Sequence, residues 1–391
     1  MQFFKNFLRL ISEALTLNPK IIGVIGVTRK NHHGLKARLV HFACNGSKIQ
    51  FATPFGIFQC ENSLTEHASK FLRLRMFYFC LLGRILVLND SPLWMLLQRL
   101  LPFKVFICNW DGHFRNSSWR FHEICGPRRF ILKQQSNHAL NVPLQTIRKK
   151  VILLGTGPSA GLIFSEEARN YDVITCNSAV KSRKLFEHVN VVAHCFSDAT
   201  FMLGASEYSH QFLIDLRSRI GMHDFLVVHD SYHTNFLNHF LRKSSRGNLA
   251  PIFLDSCNLP IITFDSTCRQ FSFTNVFTAL MLPVALTWYD EIVLIGFDGK
   301  GKEVNYFWQH QDEFQYQSLL PTVREWDPGF FVDVDYNKYS ADHETMLSGL
   351  IKQALMAGKK IHSANESNSH CIHNLYSQDI HEAFKNGLFQ P

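Results

Sequence analysis

The strongest constraint on this chain lies in one short run. Val151-Ile152-Leu153-Leu154 is wholly apolar and stops directly on Gly155-Thr156-Gly157-Pro158-Ser159-Ala160-Gly161. An apolar run that does not alternate with polar residues fits a strand covered on both faces, as in parallel sheets. The glycines let the chain turn sharply off that strand, and Pro158 suits the first turn of a helix because it fixes φ and has no amide hydrogen. A helix is expected from about Ala160 to Asn170. Similar apolar runs recur at residues 173–176, 189–193, 225–228, 261–264, 292–295 and 360–362, with helix-length segments between most of them.

Strands alternating with helices imply an α/β protein, read here as a Rossmann-like, doubly wound, mostly parallel sheet. At 391 residues the chain is long for one core. The polar stretch Lys133-Gln134-Gln135-Ser136-Asn137-His138, then Pro143 and Arg148-Lys149-Lys150, marks the boundary. The expected division is an N-terminal accessory domain of unreadable chemistry at 1–148, the Rossmann-like domain at 149–370 and a C-terminal tail at 371–391. Residues 1–145 lack the strand–glycine–helix rhythm seen later.

With 46% hydrophobic and 18% charged residues, the composition is that of a globular protein. The ten cysteines are scattered without a C-x-x-C pair, so they read as buried thiols in a reducing compartment. The opening Met1-Gln2-Phe3-Phe4-Lys5-Asn6-Phe7 brings charge too early for a signal peptide, and the apolar stretch from Met76 to Ile107 is interrupted by Arg84, Asp90, Arg99 and Lys104. A cytoplasmic location is expected. Phe3, Phe4, Phe7, Leu8 and Ile11 recur at helical spacing opposite Lys5 and Arg9. That pattern fits either peripheral contact with the inner membrane face or a helix packed on its own domain. A net charge of +8 favours an anionic partner. Its even spread along the chain argues against nucleic acid.

Amides exposed at the glycine loop would face an anion, with Ser159 adding a hydroxyl, so phosphate or nucleotide binding is the leading expectation. The plain alternative is a tight β–α turn in a domain that binds elsewhere. A nicotinamide cofactor normally needs an acidic residue after the second strand; here Cys176-Asn177-Ser178 places an amide there. No Gly-Lys-Ser/Thr follows the loop, which disfavours Walker-type kinases.

The Gly-Thr-Gly-Pro-Ser loop, the Cys-Asn-Ser segment, Ile295-Gly296-Phe297-Asp298-Gly299 and the late His343 together resemble two related families. These are the bacterial sialyltransferases of glycosyltransferase family 42 and the motility-accessory-factor group (DUF115), which includes pterin pyrophosphokinase-like proteins. The resemblance covers about residues 149–370. It implies transfer of a nonulosonic acid from a CMP-sugar donor to a glycan or glycoprotein hydroxyl, with no cofactor and no essential metal. By motif, Gly155, Thr156, Gly157, Pro158 and Ser159 would cradle CMP, Asn177 would contact the nucleotide, and Ser197 and Asp198 would add donor contacts. Ser272, Thr274 and Asn275 would bind the sugar carboxylate, although helix capping explains them equally well. Tyr306 would hold the leaving phosphate. The family's second tyrosine is replaced by Gly299, leaving Lys300 or Lys302 as charge compensation or as plain surface.

His343, within Ser340-Ala341-Asp342-His343-Glu344, is the expected base: a first-turn position behind a Ser340 cap would keep it neutral through the helix dipole. Under the pyrophosphokinase alternative magnesium would be required, with Asp298 and Asp198 as ligands; a non-catalytic nucleotide-binding scaffold is the third reading. Asp333-Val334-Asp335 reads as a chance D-x-D. His229-Asp230 with His233, and His370 with His373, have metal spacings but incomplete ligand sets. The run from Tyr306 to Tyr316 is expected to form a lid or acceptor wall.

Overall fold

The computed structural model describes strands at residues 21–25, 50–53, 56–59, 84–87 and 105–107 and residues 93, 96–97 and 100–101. It further describes 150–204, 206–234, 237, 240–241, 249–255, 269–271, 275–299, 310–326 and 336–386.

The expected α/β domain is present. Its sheet comprises β6 (Lys150–Leu154), β7 (Asp172–Cys176), β8 (Asn190–Phe196), β9 (Leu226–Asp230), β10 (Leu249–Asp255), β11 (Arg269–Phe271), β12 (Glu291–Ile295) and β13 (Lys360–Ser363). The spatial order is β11-β10-β9-β8-β7-β6-β12-β13, and every pairing is parallel. The chain thus winds outward from β6 to β11, then returns to lay β12 on the other side of β6. A doubly wound sheet opens a crevice at such a reversal, beyond the carboxyl ends of the two strands.

Successive residues of β6 explain its unbroken apolar run. Ile152 and Leu154 join one hydrophobic layer, while Val151 and Leu153 join the other, and all four are fully buried. The first layer is closed by α1 (Arg183–His188) and α3 (Glu207–Met222) through Leu185, Phe186, Phe212 and Leu216. The second is closed by α4 (Leu282–Trp288) and α6 (Tyr336–Met356) through Val284, Leu286, Leu347 and Leu350. At the amino edge the buried Asp172 carboxylate accepts from Tyr289 Oη at 2.9 Å and Asn190 Nδ2 at 2.7 Å, so its burial is compensated by hydrogen bonds.

Several expectations change. The helix from Ala160 to Asn170 is two 3-10 segments, Pro158–Phe164 and Glu167–Asn170, separated at the extended Ser165. Gly161 and Ser165 are weak α-formers, and the stretch between Pro158 and Ser165 is under two α-turns. Residues 378–386, assigned to a tail, form the helix α8 (Gln378–Asn386), whose Phe384 is fully buried and packs on Tyr171, ring centroids 5.6 Å apart. The domain therefore continues past 370. The run at 261–264 lies outside the described residues, whereas β10 and β11 are strands that the periodicity did not single out.

The described part of the N-terminal region includes a second sheet. Strands β1 (Ile21–Ile25), β2 (Gln50–Thr53), β3 (Gly56–Gln59), β4 (Arg84–Val87) and β5 (Val105–Ile107) pair in the order β3-β2-β1-β4-β5, and only β2–β3 is antiparallel. Residues 3–15 lie outside the described set. Among the described residues no helix is long and apolar enough to cross a membrane.

Candidate functional site

The loops after β6 and β12 meet at the crevice. Gly155 donates its amide to Ile295 O at 2.8 Å, and Gly157 donates to Gly296 O at 3.0 Å. Gly296 has φ +79°, a left-handed conformation that favours glycine, and its amide donates to Asn365 Oδ1 at 3.1 Å. Ser159 N–H donates to the Asp298 carboxylate, 3.3 and 3.2 Å from its two oxygens. The loop's amides thus have internal partners, and the carboxylate of Asp298 sits where the sequence predicts a bound anion. The glycines are required by this close approach: a Cβ on Gly157 would lie 2.8 Å from Gly296 O and overlap Asp298 Oδ2. The segment after β13 holds the second loop in place, with Ser367 Oγ donating to Phe297 O at 2.7 Å and Asn368 N–H to Asp298 O at 2.7 Å.

Thr156 faces His310, which the sequence places only within the expected lid or acceptor wall. His310 Nδ1 lies 2.9 Å from Thr156 Oγ1 and 3.2 Å from Thr156 O, while Gln311 N–H donates to the same carbonyl at 3.0 Å. A carbonyl only accepts, so this geometry favours the tautomer with hydrogen on Nδ1. Burial lowers the His310 pKa, opposed by the Thr156 backbone and by the charge of Asp298. Neither His310 nor Asp298 carries a spacing signal, because their partners are 154 and 139 residues away. The described part of the run expected as a wall from Tyr306 to Tyr316 divides: His310 and Gln311 meet the glycine loop, and residues 314–316 enter the core. Phe314 is fully buried, and Tyr316 donates to Asp215 Oδ2 at 2.7 Å.

Asn177 follows β7 with φ +48°, a conformation that asparagine tolerates better than most residues. Its Oδ1 and the Ser159 Oγ are buried without hydrogen-bond partners, at the carboxyl ends of adjacent strands. Unsatisfied buried polar atoms are uncommon, and each marks a place where a water or a ligand can complete the bonding. Ser197 is buried, and Asp198 caps α2 (Ala199–Leu203) by accepting from Thr200 N–H at 2.8 Å and Phe201 N–H at 3.2 Å.

On the opposite side of the sheet, Asn275 and His343 come together, Nδ2 to Nε2 at 3.5 Å. Asn275 also accepts from Phe277 N–H at 2.9 Å, opening a π-helical turn, Phe277–Met281, that runs into α4. Leu282 N–H reaches back to Phe277 O, five residues away, just before Pro283. Such turns concentrate at functional sites. The Phe277 ring lies 4.4 Å from that of Phe297, which links this turn to the loop carrying Asp298.

His343 does not sit in a first helical turn as expected. Helix α6 begins at Tyr336, so Ser340 and His343 lie inside it and the first-turn dipole does not act on the imidazole. Burial instead pushes its pKa down to about 4, against the raising influence of Glu344.

Ser272, Thr274, Lys300, Lys302, Tyr306, Asp333 and Asp335 lie outside the described residues. His229 and His233 are fully buried with ring centroids 6.5 Å apart, and His229 Nδ1 is bonded to Asp230 O at 2.7 Å. His370 Nε2 lies 3.3 Å from Asn374 Nδ2. Among the described residues no three or more His, Cys, Asp or Glu side chains are grouped to hold a metal ion. Compared with protein-family models, curated proteins and solved structures, the chain matches none.

Proposed function

We propose that the protein is a glycosyltransferase that takes a nonulosonic acid from a CMP-linked donor and passes it to a hydroxyl of a glycan or glycoprotein. The supporting observation is the pairing of Asn275 with His343. It joins a helix-opening amide with a neutral imidazole, and the Phe277–Phe297 contact ties both to the loops at the crevice. In this reading the donor departs as an oxocarbenium-like species, and the acceptor hydroxyl grows acidic only as its oxygen bonds to the sugar. A histidine with a pKa near 4 is a weak base, but it suffices to take a proton released that late. Asn275 Nδ2 meets Nε2 at 3.5 Å, and in this reading it turns to the sugar carboxylate when the donor binds, which leaves the Nε2 lone pair to take the proton. Stabilising the phosphate leaving group falls to Tyr306 rather than to the glycine-loop amides, which already have partners.

The test incubates the protein with CMP-N-acetylneuraminic acid, or with ATP and hydroxymethylpterin, each with magnesium or with EDTA. The expected result is CMP release in EDTA that falls about 10²–10⁴-fold in His343→Ala, the usual contribution of a positioned base. Magnesium-dependent consumption of ATP would overturn the proposal. Binding without turnover in every arm would indicate a scaffold.

A further inference from the structure

Asp298, Thr156, His310 and Ser159 form a polar cluster whose chemistry differs from that of a phosphate cradle. The Gly155, Gly157 and Ser159 amides are already engaged, so the loop offers an anion no free row of donors. Asp298 adds negative charge beside it, and His310 is kept neutral by burial. A phosphate placed here would be repelled by the carboxylate.

What remains is one donor and one acceptor. With hydrogen on His310 Nδ1, that nitrogen donates to Thr156 O and Oγ1, so the hydroxyl hydrogen of Thr156 is directed to a third group. Among the described residues the Asp298 oxygens each accept one long bond, from Ser159 N–H at 3.2–3.3 Å, and a carboxylate has about four lone-pair sites. Ser159 Oγ, on the residue whose amide meets that carboxylate, is buried without a partner. All four residues are partly buried, so a ligand bond formed here competes weakly with water.

We propose that this cluster takes a pair of vicinal hydroxyls, one donating to the Asp298 carboxylate and the other accepting from Thr156 Oγ1, with His310 as the positioning residue. The inference rests on the nucleotide-sugar reading only for the source of the hydroxyls, which is the ribose or the transferred sugar. Phosphate then points away from the glycine loop.

Titration calorimetry with CMP, 2′-deoxy-CMP and inorganic phosphate tests the ribose source. N-acetylneuraminic acid and the methyl ribofuranoside and 2-deoxyribofuranoside pair, followed by saturation-transfer NMR, test hydroxyl recognition without a nucleotide. CMP should bind about tenfold or more tightly than 2′-deoxy-CMP, as expected for one hydrogen bond to a charged group. Asp298→Asn, which keeps an acceptor for Ser159 N–H, should bring that ratio within about twofold while the circular dichroism spectrum stays native. His310→Ala should weaken discrimination, and His310→Asn, whose amide nitrogen replaces Nδ1–H, should restore it; a residue with only a packing role would not be rescued in this way. If the sugar supplies the hydroxyls, Asp298→Asn lowers the saturation-transfer signal of N-acetylneuraminic acid and leaves CMP unchanged. If CMP is silent but the riboside pair shows the Asp298-dependent difference, the nucleotide reading fails and this one stands. It is overturned if no hydroxylated probe depends on Asp298, or if inorganic phosphate displaces CMP and binds more tightly to Asp298→Asn.

Discussion

Gly157 stands out in the sequence as part of a turn, and the structure adds a steric demand on it. Its backbone, φ −67° and ψ 174°, is open to any residue, so an alanine there pays no conformational penalty. The cost of Gly157→Ala is steric, against Gly296 O and Asp298, and is expected at about 1–3 kcal/mol in urea unfolding. Pairing it with Asp298→Ala should recover only part of that loss, because Gly296 O remains in the way. Full recovery would show that the carboxylate alone sets the spacing. His343 was likewise singled out from the sequence, but its neutrality comes from burial within a long helix, which its position in the sequence does not reveal. His310 and Asp298 were not legible as a pair, since chain folding alone brings them to the same loop.

At the scale of elements, the apolar runs of the central strands were legible because burial on both faces removes any polar alternation. The helices were less so. The segment after the glycine loop became 3-10 turns, and α8 was taken for a tail because it is short, polar and anchored mainly by one aromatic side chain. Phe384→Ala should therefore cost about 3–5 kcal/mol, the usual range for emptying a buried phenylalanine site. Truncation after residue 370 should leave a domain that is degraded by protease far faster than the full chain. Equal protection of the two would show that α8 is dispensable.

For the whole molecule, three histidines make stability depend on acid. Burial lowers the pKa of His194 from 6.5 to about 3, that of His229 to about 4 and that of His343 to about 4. Each is neutral in the fold and free to protonate once unfolded, so below pH 6.5 the unfolded chain binds more protons and stability falls as pH falls. The loss begins near pH 6.5 and stops growing below the folded values. By pH 5 it reaches about 2 kcal/mol per histidine, a large share of an ordinary domain's stability. The urea midpoint should drop clearly between pH 7.5 and 5.5; a level midpoint would mean that these imidazoles are hydrated in the fold. The sequence by itself determined an α/β domain with a parallel sheet and a glycine turn after its first strand, because strand burial and sharp turns are local demands written in neighbouring residues. Which groups share the crevice was decided only by the tertiary structure. The return of β12 beside β6 brings Asp298 onto the glycine loop, and hydrogen bonds across more than a hundred residues have no signature in the order of the chain.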